Sequence, residues 1–165
     1  GAVRVPDLEK SRRGVEVVAG LNKVVVDALA AGRNVLIYPA GQLTNGGLEH
    51  VGNKQGAWQV CRQLPNGTRV VGMRIQGLWG SMWSRAKTGK SPNFLWTYMK
   101  AVFYVLANFI FFVPRRDVTI TFEDITGDAV RYAEEGRQPF NRYLESFYNA
   151  EGEEKPLYLK HLFYN

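Results

Sequence analysis

The stretch NVLIYPAGQLTNGG, residues 34–47, decides the fold prediction. Four apolar or aromatic residues lead directly to Pro39, and a polar, glycine-rich loop begins at Gly41. A short apolar run bounded by Pro and Gly is typical of a buried strand that ends in a loop. Because backbone N–H groups in such a loop can approach an anion closely, we expect a buried strand at 34–38 and a ligand-binding loop after it.

Helical and strand patterns alternate on both sides of this stretch. Apolar spacing predicts helices over 14–31, 53–63, 128–135 and 139–149, and further strands over 68–75 and 117–125. A strand, helix, strand rhythm is typical of parallel pairing through crossover helices. The predicted fold class is therefore α/β, a mostly parallel sheet with flanking helices, over residues 1–149. Residues 150–165 are interpreted as a linker or docking tail.

Composition and charge point to a globular protein with an anionic partner. The chain has 165 residues, which is long enough for one domain with a core. Its net charge is +6. No acidic residue lies between Glu49 and Asp117, a segment that holds ten Lys and Arg residues. Such a segment favours a phosphate-bearing substrate, an acidic lipid surface or nucleic acid. Since no recognisable nucleic-acid-binding motif is present, nucleic acid is not a predicted partner, and a nucleic-acid binder stays open only as a less favoured alternative function.

Cysteine and histidine are too few for metal or disulfide chemistry. Cys61 is the single cysteine, and the two histidines, His50 and His161, are far apart in sequence. We therefore predict no internal disulfide and no metal site.

The run FLWTYMKAVFYVLANFIFFVP, residues 94–114, does not fit a plain soluble sheet. It just reaches the roughly 20 apolar residues that a membrane span needs, but Lys100 interrupts it near one end. Three interpretations stay open: a buried core helix, a helix on or in one leaflet, and a true span. Residues 94–113 are accordingly predicted as an apolar helix that can face a membrane. The cations that bracket it are Lys87, Lys90, Arg115 and Arg116.

Two motifs resemble those of a known family. GRNVLIYPAGQLTNGG (32–47) resembles the third conserved block of the glycerolipid (1-acylglycerol-3-phosphate type) acyltransferases, Phe-Pro-Glu-Gly-Thr-Arg-Ser. VVGMRIQGLWGSMWSR (70–85) resembles their fourth block, a strand of the type Val-(Ile/Val)-Pro-Val-Arg-Ile-x-Gly. Within the family, the chain is similar in particular to the acyltransferase half of the bifunctional 2-acylglycerophosphoethanolamine acyltransferase/acyl-acyl-carrier-protein synthetases.

The resemblance implies transfer of an acyl group from acyl-carrier-protein or CoA to a lysophospholipid or glycerophosphate hydroxyl. It implies no cofactor beyond the acyl donor, a peripheral or monotopic position on the cytoplasmic face of an anionic membrane and, as a further partner, a fused ligase domain. The candidate phosphate-binding residues are Gly41, Gln42, Thr44 and Arg74. The candidate acyl-chain or membrane contacts are Trp79, Trp83, Phe103 and Phe109.

The chain also departs from the family pattern. Ala40 stands where the third block has Glu, and Gly72 where the fourth block often has Pro. The family uses a His-x-x-x-x-Asp motif, in which the histidine removes the proton of the attacking hydroxyl. Here His50 is followed five positions on by Gln55. We therefore expect the catalytic His and Asp upstream of Gly1 and none in this chain. A catalytically inactive lipid- or membrane-binding module is the alternative.

Overall fold

The computed structural model describes residues 14–163, with side chains from residue 20 onward. The stretch before residue 14, which the sequence analysis includes in the same domain, lies outside the described residues. The protein is mixed α/β, with five helices and two strands in the described part. The helices are α1 (Gly14–Ala30), α2 (Gly56–Cys61), α3 (Phe94–Ala107), α4 (Thr126–Glu135) and α5 (Arg137–Tyr148). The strands are β1 (Val71–Gln76) and β2 (Thr119–Asp124).

The two strands pair with each other in antiparallel fashion. The Ile125 N–H donates to the Val70 carbonyl at 2.9 Å, just beyond one end of the pair. The prediction of a mostly parallel sheet is wrong for these strands. A parallel pair needs a crossover helix that packs its apolar side on the sheet. The helix between these strands, α3, instead leaves most of its apolar side chains exposed.

Residues 34–38 form no strand, and the prediction of a buried strand there is wrong. Leu36 and Tyr38 are exposed. A strand is held by hydrogen bonds to a neighbouring strand, and none in the described part of the chain pairs with this segment. The turn that follows does form, since the Gly41 N–H donates to the Tyr38 carbonyl at 3.0 Å and Gly41 adopts a φ of 65°.

The chain divides into two compact units. Within the described residues, the helical unit comprises 14–41, 51–71 and 124–144. In it α2 packs against α1 and α4, and the Trp58 indole donates to the Ala133 carbonyl at 3.0 Å. Its buried apolar side chains are Val51, Val60, Ile125, Ala129, Ala133, Phe140 and Leu144.

The strand unit comprises residues 42–50, 72–123 and 145–163. Its C-terminal segment packs against the loop that follows β1. The Glu154 carboxylate accepts from the Gly77 N–H at 2.7 Å, and the Leu157 N–H donates to the Trp79 carbonyl at 3.0 Å. A β-carbon on Gly80 would lie only 2.5 Å from the Leu157 backbone, so this approach requires glycine.

Candidate functional site

The glycine-rich loop at 42–47 is closed by its own threonine. The Thr44 hydroxyl lies within hydrogen-bond distance of the Gly46 and Leu48 carbonyls, at 2.9 and 2.8 Å. Its oxygen also accepts from the Gly46 N–H at 3.3 Å. Gly41 and Gln42 are exposed, and no atom lies within 4 Å of where a Gly41 β-carbon would be. Gln42 is thus open to a ligand, whereas the Gly41 N–H and the Thr44 hydroxyl already have partners within the protein.

Arg74, predicted to contact phosphate, has partners within the protein. Its guanidinium donates to the Phe147 carbonyl at 3.1 Å and lies over the Phe147 ring at 4.7 Å. It also forms an ion pair with Glu123 at 3.5 Å. Among the described contacts, none joins Arg74 to Gln42 or Thr44. The structure therefore does not connect Arg74 to the predicted loop residues Gln42 and Thr44.

Another cation, Arg85, does reach the loop. Its Nη1 donates to the Asn45 side-chain oxygen at 2.6 Å, and its Nε and Nη2 donate to the Ser91 hydroxyl at 3.0 and 2.8 Å. These partners are neutral, and Arg85 takes part in neither ion pair found in the described residues. Its positive charge is therefore not neutralised there. The sequence signal for it was its place at the end of the fourth-block motif, inside the acid-free segment.

The far end of the loop is fixed to the C-terminal segment. The Glu49 N–H donates to the Asn149 side-chain oxygen at 2.8 Å, and the Asn149 amide donates back to the Glu49 carbonyl at 2.9 Å. The Glu154 N–H donates to the Gly47 carbonyl at 2.9 Å, and a β-carbon on Gly47 would collide with Glu154. Partial burial raises the pKa of Glu49; nearby His50 opposes this, and Glu154 adds to it.

Neither histidine is arranged as a general base. His50 is exposed, and the His161 ring stacks on Tyr104 with ring centroids 4.6 Å apart. In residues 14–163 neither ring is hydrogen-bonded to a carboxylate, which is the contact that would orient a catalytic imidazole. In the same range, no three His, Cys, Asp or Glu side chains cluster as a metal site would require.

The four predicted acyl-chain or membrane contacts differ in exposure. Trp79 is 8% exposed and packs inside the strand unit. Trp83 is partly exposed, with its ring centroid 5.6 Å from that of Phe94 at the start of α3. Phe103 on α3 and Phe109 beyond its end are well exposed. The last three therefore lie on or beside one apolar surface, and Trp79 does not contribute to it.

That apolar surface consists of the exposed side chains of residues 94–112, and is called the α3 surface below. Within α3 the one buried residue is Thr97, and Asn108, just past the helix end, is fully buried. None of the helices in the described part of the chain has the length and apolarity needed to cross a bilayer.

Comparisons with known proteins leave the family open. No family model matches the chain, and no curated protein or solved structure proves similar to it.

Proposed function

We propose that this chain is part of a glycerolipid acyltransferase. The parent protein moves an acyl group from an acyl-carrier-protein or CoA thioester to the hydroxyl of a lysophospholipid or glycerophosphate. The observation that carries the proposal is Arg85, an arginine without a carboxylate partner that is hydrogen-bonded to Asn45 in the third-block loop. A cation beside exposed backbone in a glycine-containing turn is a suitable site for a phosphate group.

In this proposal the chain supplies binding and not the proton transfer. Arg85 and the exposed loop backbone from Gln42 to Asn45 hold the acceptor phosphate, and Arg85 takes the role that the sequence motif suggested for Arg74. The general base is a histidine oriented by an aspartate, and both belong to a part of the protein that this chain does not contain. No cofactor is required, because the acyl donor carries its own activated thioester.

The proposed setting is the cytoplasmic face of an anionic membrane. The acceptor lipid reaches the loop from the bilayer, and the acyl donor reaches it from the aqueous side. A fused ligase domain that makes the acyl donor is a further proposed partner, on the resemblance alone.

A catalytically inactive lipid-binding module is the second candidate, and three observations favour it. Ala40 replaces the glutamate of the third block, so this position cannot orient a cation. The Thr44 hydroxyl is occupied within its own loop. Neither histidine in the described residues is hydrogen-bonded to a carboxylate.

Ligand titration tests the phosphate site. Glycerol 3-phosphate is titrated into the wild-type chain and into Arg85→Gln, with backbone amide NMR shifts as the readout. Loss of a charge-assisted contact should weaken binding about ten- to a hundredfold. Arg33→Gln, at an exposed position of the helical unit, is the matched control and should bind like the wild type. Equal affinity in all three proteins would remove Arg85 from the site.

Acyl transfer from a radiolabelled thioester to a lysophospholipid separates the enzyme from the inactive module. A version extended upstream should be active and should lose activity when its upstream histidine becomes alanine. Lipid binding without turnover in the extended protein supports the inactive module. Turnover by the 165-residue chain that disappears in His50→Ala would show that the proposed active site is wrong.

A further inference from the structure

The α3 surface has the reverse of the usual arrangement of a surface helix. In a soluble protein, a surface helix points its apolar stripe inward and its polar residues outward. In α3 the buried residue is polar, Thr97 at 7% exposure, while Phe94, Trp96 and Phe103 point outward. Asn108 is also buried and binds the Tyr104 and His161 carbonyls at 2.6 and 2.7 Å. The helix thus contacts its own unit through a narrow, partly polar stripe.

The turn after α3 extends the apolar surface. Phe109 and Ile110 have φ angles of 49° and 66°, which bulky residues rarely adopt. Backbone hydrogen bonds hold this turn, among them those from Ile110 N–H to the Val105 carbonyl at 2.9 Å and from Phe112 N–H to the Asn108 carbonyl at 3.0 Å. The reversal leaves Phe111 88% exposed. A contiguous exposed apolar surface of this kind marks a site of contact with another apolar phase or molecule.

We propose that the α3 surface inserts into one leaflet of an anionic phospholipid bilayer, with α3 embedded and not spanning. The 14 residues of α3 extend about 21 Å, which is short of the roughly 30 Å hydrocarbon core. Embedding places the outward aromatic side chains in hydrocarbon and leaves the polar stripe on the protein. The inference requires no acyl transfer and goes beyond the enzyme proposal in assigning the inserted residues.

The charge around the surface favours a bilayer over a second copy of the chain. Lys87, Lys90 and Arg115 are exposed and belong to neither ion pair of the described residues. Lys100 lies over the Trp96 ring at 5.4 Å, on the helix itself. In a symmetric dimer the same patch meets itself, so these cations would face one another and repel. Anionic headgroups offer the opposite charge, worth about fivefold in partitioning for each Lys or Arg at the surface.

Arg116 does not belong to this set, although it borders the apolar run in the sequence. Its guanidinium donates to the Gly77 carbonyl at 2.6 Å and the Leu157 carbonyl at 2.5 Å. It therefore holds the strand unit together, and the headgroup contacts fall to Lys87, Lys90 and Arg115.

Vesicle co-sedimentation tests the inference on the full chain without an acyl donor. The vesicles are phosphatidylcholine alone and equal parts phosphatidylcholine and phosphatidylglycerol. The wild type should bind the anionic vesicles more strongly, and added salt should weaken that binding. Phe111→Asp should lower partitioning about 30-fold, because a carboxylate enters hydrocarbon in place of a ring. Leu36→Asp, at an exposed apolar position of the helical unit, is the control and should bind like the wild type.

Lys90→Gln tests the electrostatic part and should lower binding to anionic vesicles about fivefold. Its control, Lys54→Gln, removes an exposed lysine of the helical unit and should have no effect. Phe103→Ser provides a second apolar test on α3 itself, in case Phe111→Asp disturbs the turn.

Two results would overturn the inference. One is equal binding of wild type, Phe111→Asp and Phe103→Ser to anionic vesicles. The other is a wild-type dimer in sedimentation analysis that Phe111→Asp converts to a monomer, with no vesicle binding by either, since the surface would then cover a second copy. Vesicle binding by a version extended upstream that shows no acyl transfer supports the α3 surface and counts against the enzyme. Acyl transfer to glycerol 3-phosphate by that extended version without vesicle binding does the reverse.

Discussion

Two helices of this protein, α3 and α4, differ in whether their apolar residues are buried or exposed. In α4 the buried residues are small and apolar, Ala129 and Ala133, while its charged residues face solvent. In α3 the buried residue is Thr97, and almost every large apolar side chain is exposed. Both sequences form a helix, so the difference lies in what surrounds each one.

The comparison shows that apolar content alone does not indicate burial. The few buried side chains of α4 contribute to a core that also contains Phe140 and Leu144 of α5. The side of α3 that faces the protein is narrow, so most of the apolar side chains of this helix remain exposed. We propose that a bilayer covers these side chains.

The largest expected effect separates a core phenylalanine from a phenylalanine of the α3 surface. Phe140 is 1% exposed, so Phe140→Ala should lower the free energy of unfolding by about 3–5 kcal/mol through lost burial and the cavity left behind. Phe111→Ala should change it by less than about 0.5 kcal/mol, because the ring already faces solvent. Urea unfolding followed by circular dichroism measures both. Similar losses for the two variants would mean that the α3 surface is covered within the protein.

A smaller effect is expected at the polar contact that ties α3 to the C-terminal segment. The Asn108 side chain donates to the Tyr104 and His161 carbonyls and accepts from the Phe163 N–H at 2.9 Å. Asn108→Ala leaves buried backbone groups without a partner, at a cost of about 1–3 kcal/mol. Because this segment then loses its contacts with Asn108, the rate of backbone amide hydrogen exchange should increase in residues 157–163.

Asn53→Ala, an exposed asparagine of the helical unit, is the control for this change. Unaltered exchange in Asn108→Ala would mean that the segment is held by its ring contacts, such as Phe112 with Phe163 at 4.9 Å.

The smallest effect concerns a carboxyl group of the strand unit and depends on pH. Burial raises the pKa of Glu49 in the folded protein above its ordinary 4.5. The folded protein therefore favours the protonated carboxyl group, and this contribution to the free energy of unfolding is lost as pH rises through the folded pKa. Glu49→Gln should therefore raise the melting temperature at pH 7, and the difference from wild type should shrink below pH 4.5. Thermal unfolding of the two proteins at pH 7 and at a pH below 4.5 measures this difference in melting temperature. The exposed Glu151→Gln should show no comparable gain, and a Glu49→Gln variant less stable at pH 7 would contradict the sign.

Most of the helices and strands were predictable because their signals are local. The predicted helices at 14–31, 128–135 and 139–149 correspond to α1, α4 and α5 within a few residues. Gly32, which directly follows the predicted helix 14–31, has a φ of 72°, as a C-terminal cap requires. Spacing and capping act over a few neighbouring residues, so the sequence carries them directly.

The pairing of the strands and the burial of 34–38 were not predictable in this way. The local sequence of an apolar run such as VLIY does not indicate whether a neighbouring strand is present to form hydrogen bonds with it. The direction of β2 relative to β1 depends on the long connection between them, and α3 does not act in it as a crossover helix.

In the candidate site, too, local features were predictable from the sequence and contacts between distant residues were not. Local composition predicted a loop that begins at Gly41, and Gly41 and Gln42 are exposed residues without regular secondary structure. The choice between Arg74 and Arg85 depends on distant partners: Phe147 lies 73 positions after Arg74, and Asn45 lies 40 positions before Arg85. No local pattern contains that information.

The contact between the glycine-rich loop and the C-terminal segment has a consequence for synthesis of the chain. Glu49 and Asn149 are 100 positions apart, and Glu154 must be present before the loop end at Gly47 is fixed. On the ribosome, residues 94–112 therefore emerge while this part of the strand unit is still incomplete. Contacts of such long sequence separation form slowly, so the nascent chain displays its apolar residues throughout that interval. Apolar residues displayed on an incompletely folded chain favour aggregation.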